Sequence, residues 1–101
     1  MDQLADVVQQ IVLSYAGGGL DLRAYPLANE AQGVYAVAIV DYPVHKRPAS
    51  FAILVRLEND KVIVEEDLTD RPIVDALVRA GIPRTNIVLA YAGESIPTEQ
   101  T

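Results

Sequence analysis

The chain opens with apolar residues at helical spacing. Leu4, Val7, Val8, Ile11, Val12 and Tyr15 form one stripe, while Asp6, Gln9 and Gln10 fall on the other side. Asp2 is placed to cap this helix, and Gly17-Gly18-Gly19 stops it. From Leu20 the period shortens to two. Leu20, Leu22 and Ala24 alternate with Asp21, Arg23 and Tyr25, and Pro26 marks either a sheet edge or a strand end. Turn residues fill Asn29 to Gly33. Val34 to Tyr42 then predicts a strand that is apolar at both parities until Asp41. A stiff polar connection, Pro43 to Pro48, leads to a third strand over Ser50 to Glu58, with Phe51, Ile53, Val55 and Leu57 on one face.

The stretch Lys61 to Tyr91 carries the strongest local signals. Val62, Ile63 and Val64 are β-branched and suit a strand. Thr69 or Asp70 is expected to cap the following helix, and Pro72 falls in its first turn, where a missing N–H costs nothing. Ile73, Val74, Leu77 and Val78 recur at helical spacing. Gly81 supplies a left-handed residue past the end, Ile82 can fold back on Leu77, and Pro83 prevents continuation. Ile87 to Tyr91 is apolar at both parities and predicts a last strand covered on both faces.

Asn59-Asp60 fits a two-residue hairpin turn, although the usual glycine is absent. That turn sets Glu58 opposite Lys61, Leu57 opposite Val62 and Val55 opposite Val64, so charges of opposite sign meet at the rim and apolar pairs meet below. The order is α-β-β-β-β-α-β. It predicts an α+β domain over residues 1–94, with a mostly antiparallel five-stranded sheet and two helices on one face, followed by a flexible tail over 95–101. The final strand is free to lie parallel beside the fourth or antiparallel beside the first. Strands two and five carry apolar residues at both parities, among them Val37, Ile39 and Val88. Two helices cover only one face, so a two-fold homodimer through the sheet face is expected.

Charge narrows the partners. Fourteen acidic residues against eight basic ones give a formal charge of −6. Such a field repels a phosphate backbone, and only Lys46-Arg47 beside His45 approaches a basic patch, which argues against direct nucleic-acid binding and favours a basic protein partner. No apolar run is long enough to span a bilayer and no basic n-region precedes one near Met1, so a cytoplasmic location is expected. The absence of cysteine excludes disulfides, thiolate zinc sites and thiol catalysis.

No catalytic constellation stands out. Gly17-Gly18-Gly19 follows a helix instead of preceding one and lacks the Lys-Ser/Thr pair of a phosphate loop. His45 sits in a polar turn without a fixed carboxylate beside it, and Ser14, Ser50 and Ser95 lack a nucleophile elbow. The acidic run Glu65-Glu66-Asp67, with Asp70, is the sharpest local feature. Oxygen ligands suit Mg²⁺ or Ca²⁺, yet Glu65 and Glu66 on a regular strand point to opposite faces and cannot share one ion without a bulge. Acid before a helix also has an ordinary electrostatic role. The expectation is therefore no metal and no cofactor, with Glu65, Glu66, Asp67, Asp70 and Glu94 as candidate partner-binding residues. An enzyme using a small ligand or a divalent metal at this cluster is the alternative. Of the dispersed tyrosines, Tyr35 and Tyr42 are the candidates to anchor an interface.

The segments VVQQIVLSYA, VYAVAIVDY, RLENDKVIVEED and LTDRPIVDALVRAGIPRTNIVLAY resemble the XisI family, named for a controlling factor of fdxN-element excision. The similarity runs from about Asp2 to Tyr91 and is most specific from Ile73 to Leu89. The resemblance implies a non-enzymatic accessory protein in DNA element excision. Its implied partner is a site-specific recombinase or the nuclease-like companion XisH. The sequence departs from the family pattern in lacking tryptophan, and in reading AGESIPTEQT after Tyr91 where many relatives carry an aromatic-His-Pro-Pro segment.

Overall fold

In the computed structural model, residues 3–17, 21–44 and 46–95 are described. The elements are α1 (Gln3–Leu13), β1 (Leu22–Asn29), β2 (Val34–Asp41), β3 (Ser50–Glu58), β4 (Lys61–Asp67), α2 (Ile73–Arg79) and β5 (Ile87–Leu89). The strands form one sheet in the order β1-β2-β3-β4-β5. The first four pair antiparallel, and β5 lies parallel to β4. Asp2, Gly18, Gly19, His45 and the tail from residue 96 lie outside the described residues.

Both helices cover the same face. Val8 and Val12 of α1 and Ile73 and Leu77 of α2 pack with Tyr35, Val37, Ile53, Val55, Val62 and Val64 in a core closed to solvent. Tyr35 is thus a core residue and not an interface anchor, because it alternates with Ala36 onto the helix side of β2. The β3–β4 hairpin has the predicted register, with Glu58 opposite Lys61, Leu57 opposite Val62 and Val55 opposite Val64. Asn59 and Asp60 both take positive φ, 51° and 65°, as a type I′ turn requires. Pro26 interrupts nothing, because β1 is an edge strand and runs through it to Asn29.

Two bulges break the expected alternation. Val37 pairs with Ile53 but Ala38 pairs with Phe51, which leaves Ala52 as the extra residue. Ala52 packs on the core and Phe51 turns to the open face beside Val34, Ala36 and Leu54, so it does not share a face with Ile53 and Val55. On the next pair, Val55 faces Val64 while Leu54 faces Glu66, which leaves Glu65 as the extra residue.

The last strand is shorter than its apolar run suggests. Only Ile87 to Leu89 pairs with β4, and Ala90–Ala92 coils into a 3₁₀ turn ending at Gly93, with φ 92°. Ile87 and Val88 are buried, one on each face, whereas Tyr91 is 41% exposed. The strand stops because Glu94 folds back and takes both main-chain groups of Leu89. Its carboxylate accepts the Leu89 N–H at 2.9 Å and its own N–H donates to the Leu89 carbonyl at 3.2 Å.

Candidate functional site

Four of the five candidate acids stand where β4 and β5 end, Glu65, Glu66 and Asp67 on β4 and Glu94 after β5, whereas Asp70 lines a separate hollow with Tyr15, Leu22 and Ala24. The bulge at Glu65 places Glu65 and Glu66 on the same, open face, contrary to strict alternation, since Glu66 is opposite Leu54 and Glu65 reaches Arg56. Arg56 Nε donates to Glu65 Oε2 at 2.7 Å and its guanidinium also meets Glu58, so a triad of charge lies across the middle of that face. Glu66 Oε1 accepts the neighbouring Asp67 N–H at 3.1 Å.

Asp67 organises the start of α2. Its Oδ2 accepts the Ile73 N–H at 2.7 Å, and its Oδ1 accepts the Thr69 N–H at 2.9 Å and the Thr69 hydroxyl at 2.7 Å. The cap therefore comes from neither Thr69 nor Asp70. Pro72 occupies the cap position with extended ψ and has no side-chain oxygen to offer, so an acid six residues before Ile73 reaches the orphan N–H instead. Asp70 stays exposed, with no hydrogen bond or ion pair to a described residue.

Glu94 closes the far edge. Arg84 donates to the Ile87 carbonyl at 2.8 Å and to Glu94 Oε2 at 2.9 Å, while Glu94 holds Leu89. The Leu89 N–H, followed by the Arg84 guanidinium, keeps the Glu94 carboxyl below the usual carboxylate range. Tyr91 sits among these acids. Burial, then the charges of Asp67, Glu66 and Glu94, push its phenol upward.

Asp67, Glu66 and Glu94 lie near Tyr91 without forming a cation cage. Among the described residues no three acidic or histidine side chains converge as metal ligands. Glu65 and Glu94 face arginines, and Asp67 is engaged by donors at both oxygens. A residue that sequence reading missed is Asp41, only 6% exposed at the end of β2. It accepts the Lys46 and Arg47 main-chain N–H groups at 3.1 and 3.0 Å and a two-pronged Arg47 guanidinium, whose Nη2 approaches to 2.6 Å. The Arg47 hydrogen bond, ahead of the opposing cost of burial, holds the Asp41 carboxyl below its ordinary value. The only sequence signal was an acid ending an otherwise apolar strand.

The cations are mostly spoken for. Besides Arg47, Arg56 and Arg84, Lys61 donates to the Thr85 carbonyl, Arg23 stacks 3.9 Å from the Tyr42 ring centre, and Arg71 stacks 4.7 Å from that of Tyr15. Asp6, Asp21, Glu30, Asp60, Asp70 and Asp75, in contrast, are exposed, and their carboxylates have no hydrogen-bonding partner among the described residues.

The XisI protein family model matches residues 1–98. The chain belongs to the XisI family. Two solved structures from Anabaena variabilis ATCC 29413 are similar to it. One, a XisI-like protein, aligns with a TM-score of 0.76 and 23% identity over 94% of this chain and 87% of its own. The other, the fdxN element excision controlling factor XisI, aligns with a TM-score of 0.71 and 23% identity over 96% and 94%. No curated protein sequence is a significant match. At this identity the likeness of the two XisI structures speaks for the fold, and the α-β-β-β-β-α-β order is the one the sequence predicts. No helix among the described residues is long and apolar enough to cross a membrane.

Proposed function

We propose that this XisI-family chain is a non-enzymatic controlling protein that acts in the cytoplasm by binding a DNA-handling protein during excision of a DNA element. The partner class is a XisH-like nuclease or a site-specific recombinase. The reading is supported by an imbalance: Arg47, Arg56 and Arg84 are paired with acids within the fold, while six exposed acids have no hydrogen-bonding partner among the described residues. Such a surface attracts a basic protein and repels a phosphate backbone. Arg47, which ends the only basic run, is tied to Asp41 and is a poor phosphate ligand in that state. Among the candidate acids, Glu66 and Asp70 are the ones to meet the partner. Glu65, Asp67 and Glu94 hold the surface in shape behind them.

The test is co-expression with the XisH-like protein of the same genome, followed by size-exclusion chromatography at low and high salt. Co-elution that weakens with salt is expected, and a double Glu66→Lys, Asp70→Lys variant should elute separately while keeping its far-UV spectrum. Separate elution of the wild-type proteins, or a gel shift of duplex DNA by the chain alone, would overturn the reading.

A further inference from the structure

The two edges of the sheet are finished differently. On β5 each outward main-chain group has a partner. Ile87 donates to the Arg84 carbonyl and accepts from the Arg84 guanidinium, and Leu89 is held in both senses by Glu94. No strand can be added there without first breaking the Arg84–Glu94 pair.

Among the described residues nothing pairs with the outer side of β1. Tyr42 N–H donates to the Asp21 carbonyl, and in the β1–β2 register this makes Arg23, Tyr25 and Leu27 the residues that bond β2. Leu22, Ala24, Pro26 and Ala28 therefore turn their main-chain groups outward. Pro26 stands where the N–H it lacks would have met no partner in its own sheet. β1 is eight residues long, has Arg23 as its one charge, and leaves Tyr25 and Leu27 nearly half exposed. On the open face Leu27 continues into a hollow of about 230 Å³ floored by Ala36, Phe51 and Leu54. Elsewhere that face is already shut within a single chain, since Ile63 is fully buried and Val88 is 6% exposed. The exposed apolar surface thus gathers at the β1 edge and not across the whole face.

We propose that β1 pairs antiparallel with β1 of a second copy about a two-fold axis through Tyr25, joining two sheets edge to edge. The occupant is a second copy because the strand is complementary to itself. Leu22 opposes Ala28 of the second copy and exchanges both hydrogen bonds. The Ala24 N–H meets the Pro26 carbonyl, and each copy is left with one unmatched acceptor, at Ala24. Side chains agree with this register. Tyr25 faces Tyr25 of the second copy, Leu27 faces its Arg23, and Asp21 faces its Asn29, so no like charges oppose one another. For a chain of charge −6, an edge strand carrying one cation and no acid is where two copies can meet at least electrostatic cost. Eight residues a side is fewer than the roughly 20–30 of a standard interface, so the dimer is reversible.

The pairing is independent of the excision partner and is tested on the chain alone. Sedimentation equilibrium should show mass rising from one chain to two with concentration, and Tyr25→Lys, which sets lysine against lysine across the axis, should hold the mass at one chain. The chain lacks cysteine, so single substitutions report only contact between copies. Directly opposed residues of a non-hydrogen-bonded pair have Cα atoms about 4.5 Å apart, within disulfide reach. In oxidised glutathione Tyr25→Cys should therefore cross-link roughly tenfold or more faster than Val78→Cys, an equally exposed apolar position on α2. Equal cross-linking rates, or a one-chain mass at every concentration, would overturn the proposal.

Discussion

The unit β4–α2–β5 and the hairpin β1–β2 show two ways of holding a chain in place. In the first, side chains secure each junction. Asp67 takes the Ile73 N–H, Gly81 and Ile82 close the end of α2, and Arg84 with Glu94 pins β5. In the second, β1 depends on its ladder with β2, and Asp41 fixes only the loop beyond. The first region is defined by contacts a few residues apart, the second by a neighbour strand and by whatever meets its free edge. Substitutions should therefore cost stability steeply in the first and little in the second.

The widest contrast is between two leucines. Leu77→Ala removes a fully buried side chain and should cost about 2–5 kcal/mol in urea denaturation. Leu27→Ala, 46% exposed on the edge strand, should cost well under half of that, and equal losses would erase the distinction. Gly81→Ala comes next. With φ at 101° and no atom within 4 Å of an added methyl, the whole penalty is backbone strain of about 1–2 kcal/mol. Asp67→Ala removes the cap and should cost about 0.5–2 kcal/mol, with Thr69→Ala smaller because the Asp67–Ile73 bond survives it. A Thr69→Ala loss as large as that of Asp67→Ala would place the cap elsewhere.

The smallest effect separates the two regions by pH. Glu94 and Asp41 both have folded-state pKa values below their unfolded ones. Their contributions are in place above the ordinary carboxylate range, near pH 4, and fade as pH falls through the lowered folded values. Glu94→Gln keeps an acceptor for Leu89 but loses the charge, so its urea midpoint should fall slightly at pH 7 and converge with wild type near pH 3. A deficit that is the same at both pH values would mean that ionisation of Glu94 plays no part.

What could be read in advance follows the same division. The helix end at Gly81-Ile82-Pro83 and the hairpin at Asn59-Asp60 are written in consecutive residues, and both appear as expected, with Ile82 N–H on the Leu77 carbonyl and the register around Glu58–Lys61. The cap was misplaced because Asp67 acts across an irregular loop that propensity does not describe. Phe51 and Glu66 lie on faces that strict alternation does not give them, because a bulge is a decision taken between two strands, and neither strand shows it alone. Tyr91 left the strand because a downstream carboxylate, Glu94, competes for the main chain of Leu89. For the acids, the run Glu65-Glu66-Asp67 is legible in the sequence, but the approach of Glu94 and the partners Arg56 and Arg84 are not, since those pairings span separate elements.

Tyr15 couples the two regions. Its hydroxyl donates to the Arg71 carbonyl at 2.8 Å, and the Arg71 guanidinium lies over its ring. α1 is held by this link and by the apolar stripe against the sheet and α2. A ribosome making the chain from its N-terminus releases α1 before any of its partners exists, so Val8 and Val12 first meet Tyr35 and Val37 and gain Ile73, Leu77 and the Arg71 link only later. The nascent protein should seat its first-made helix in two stages.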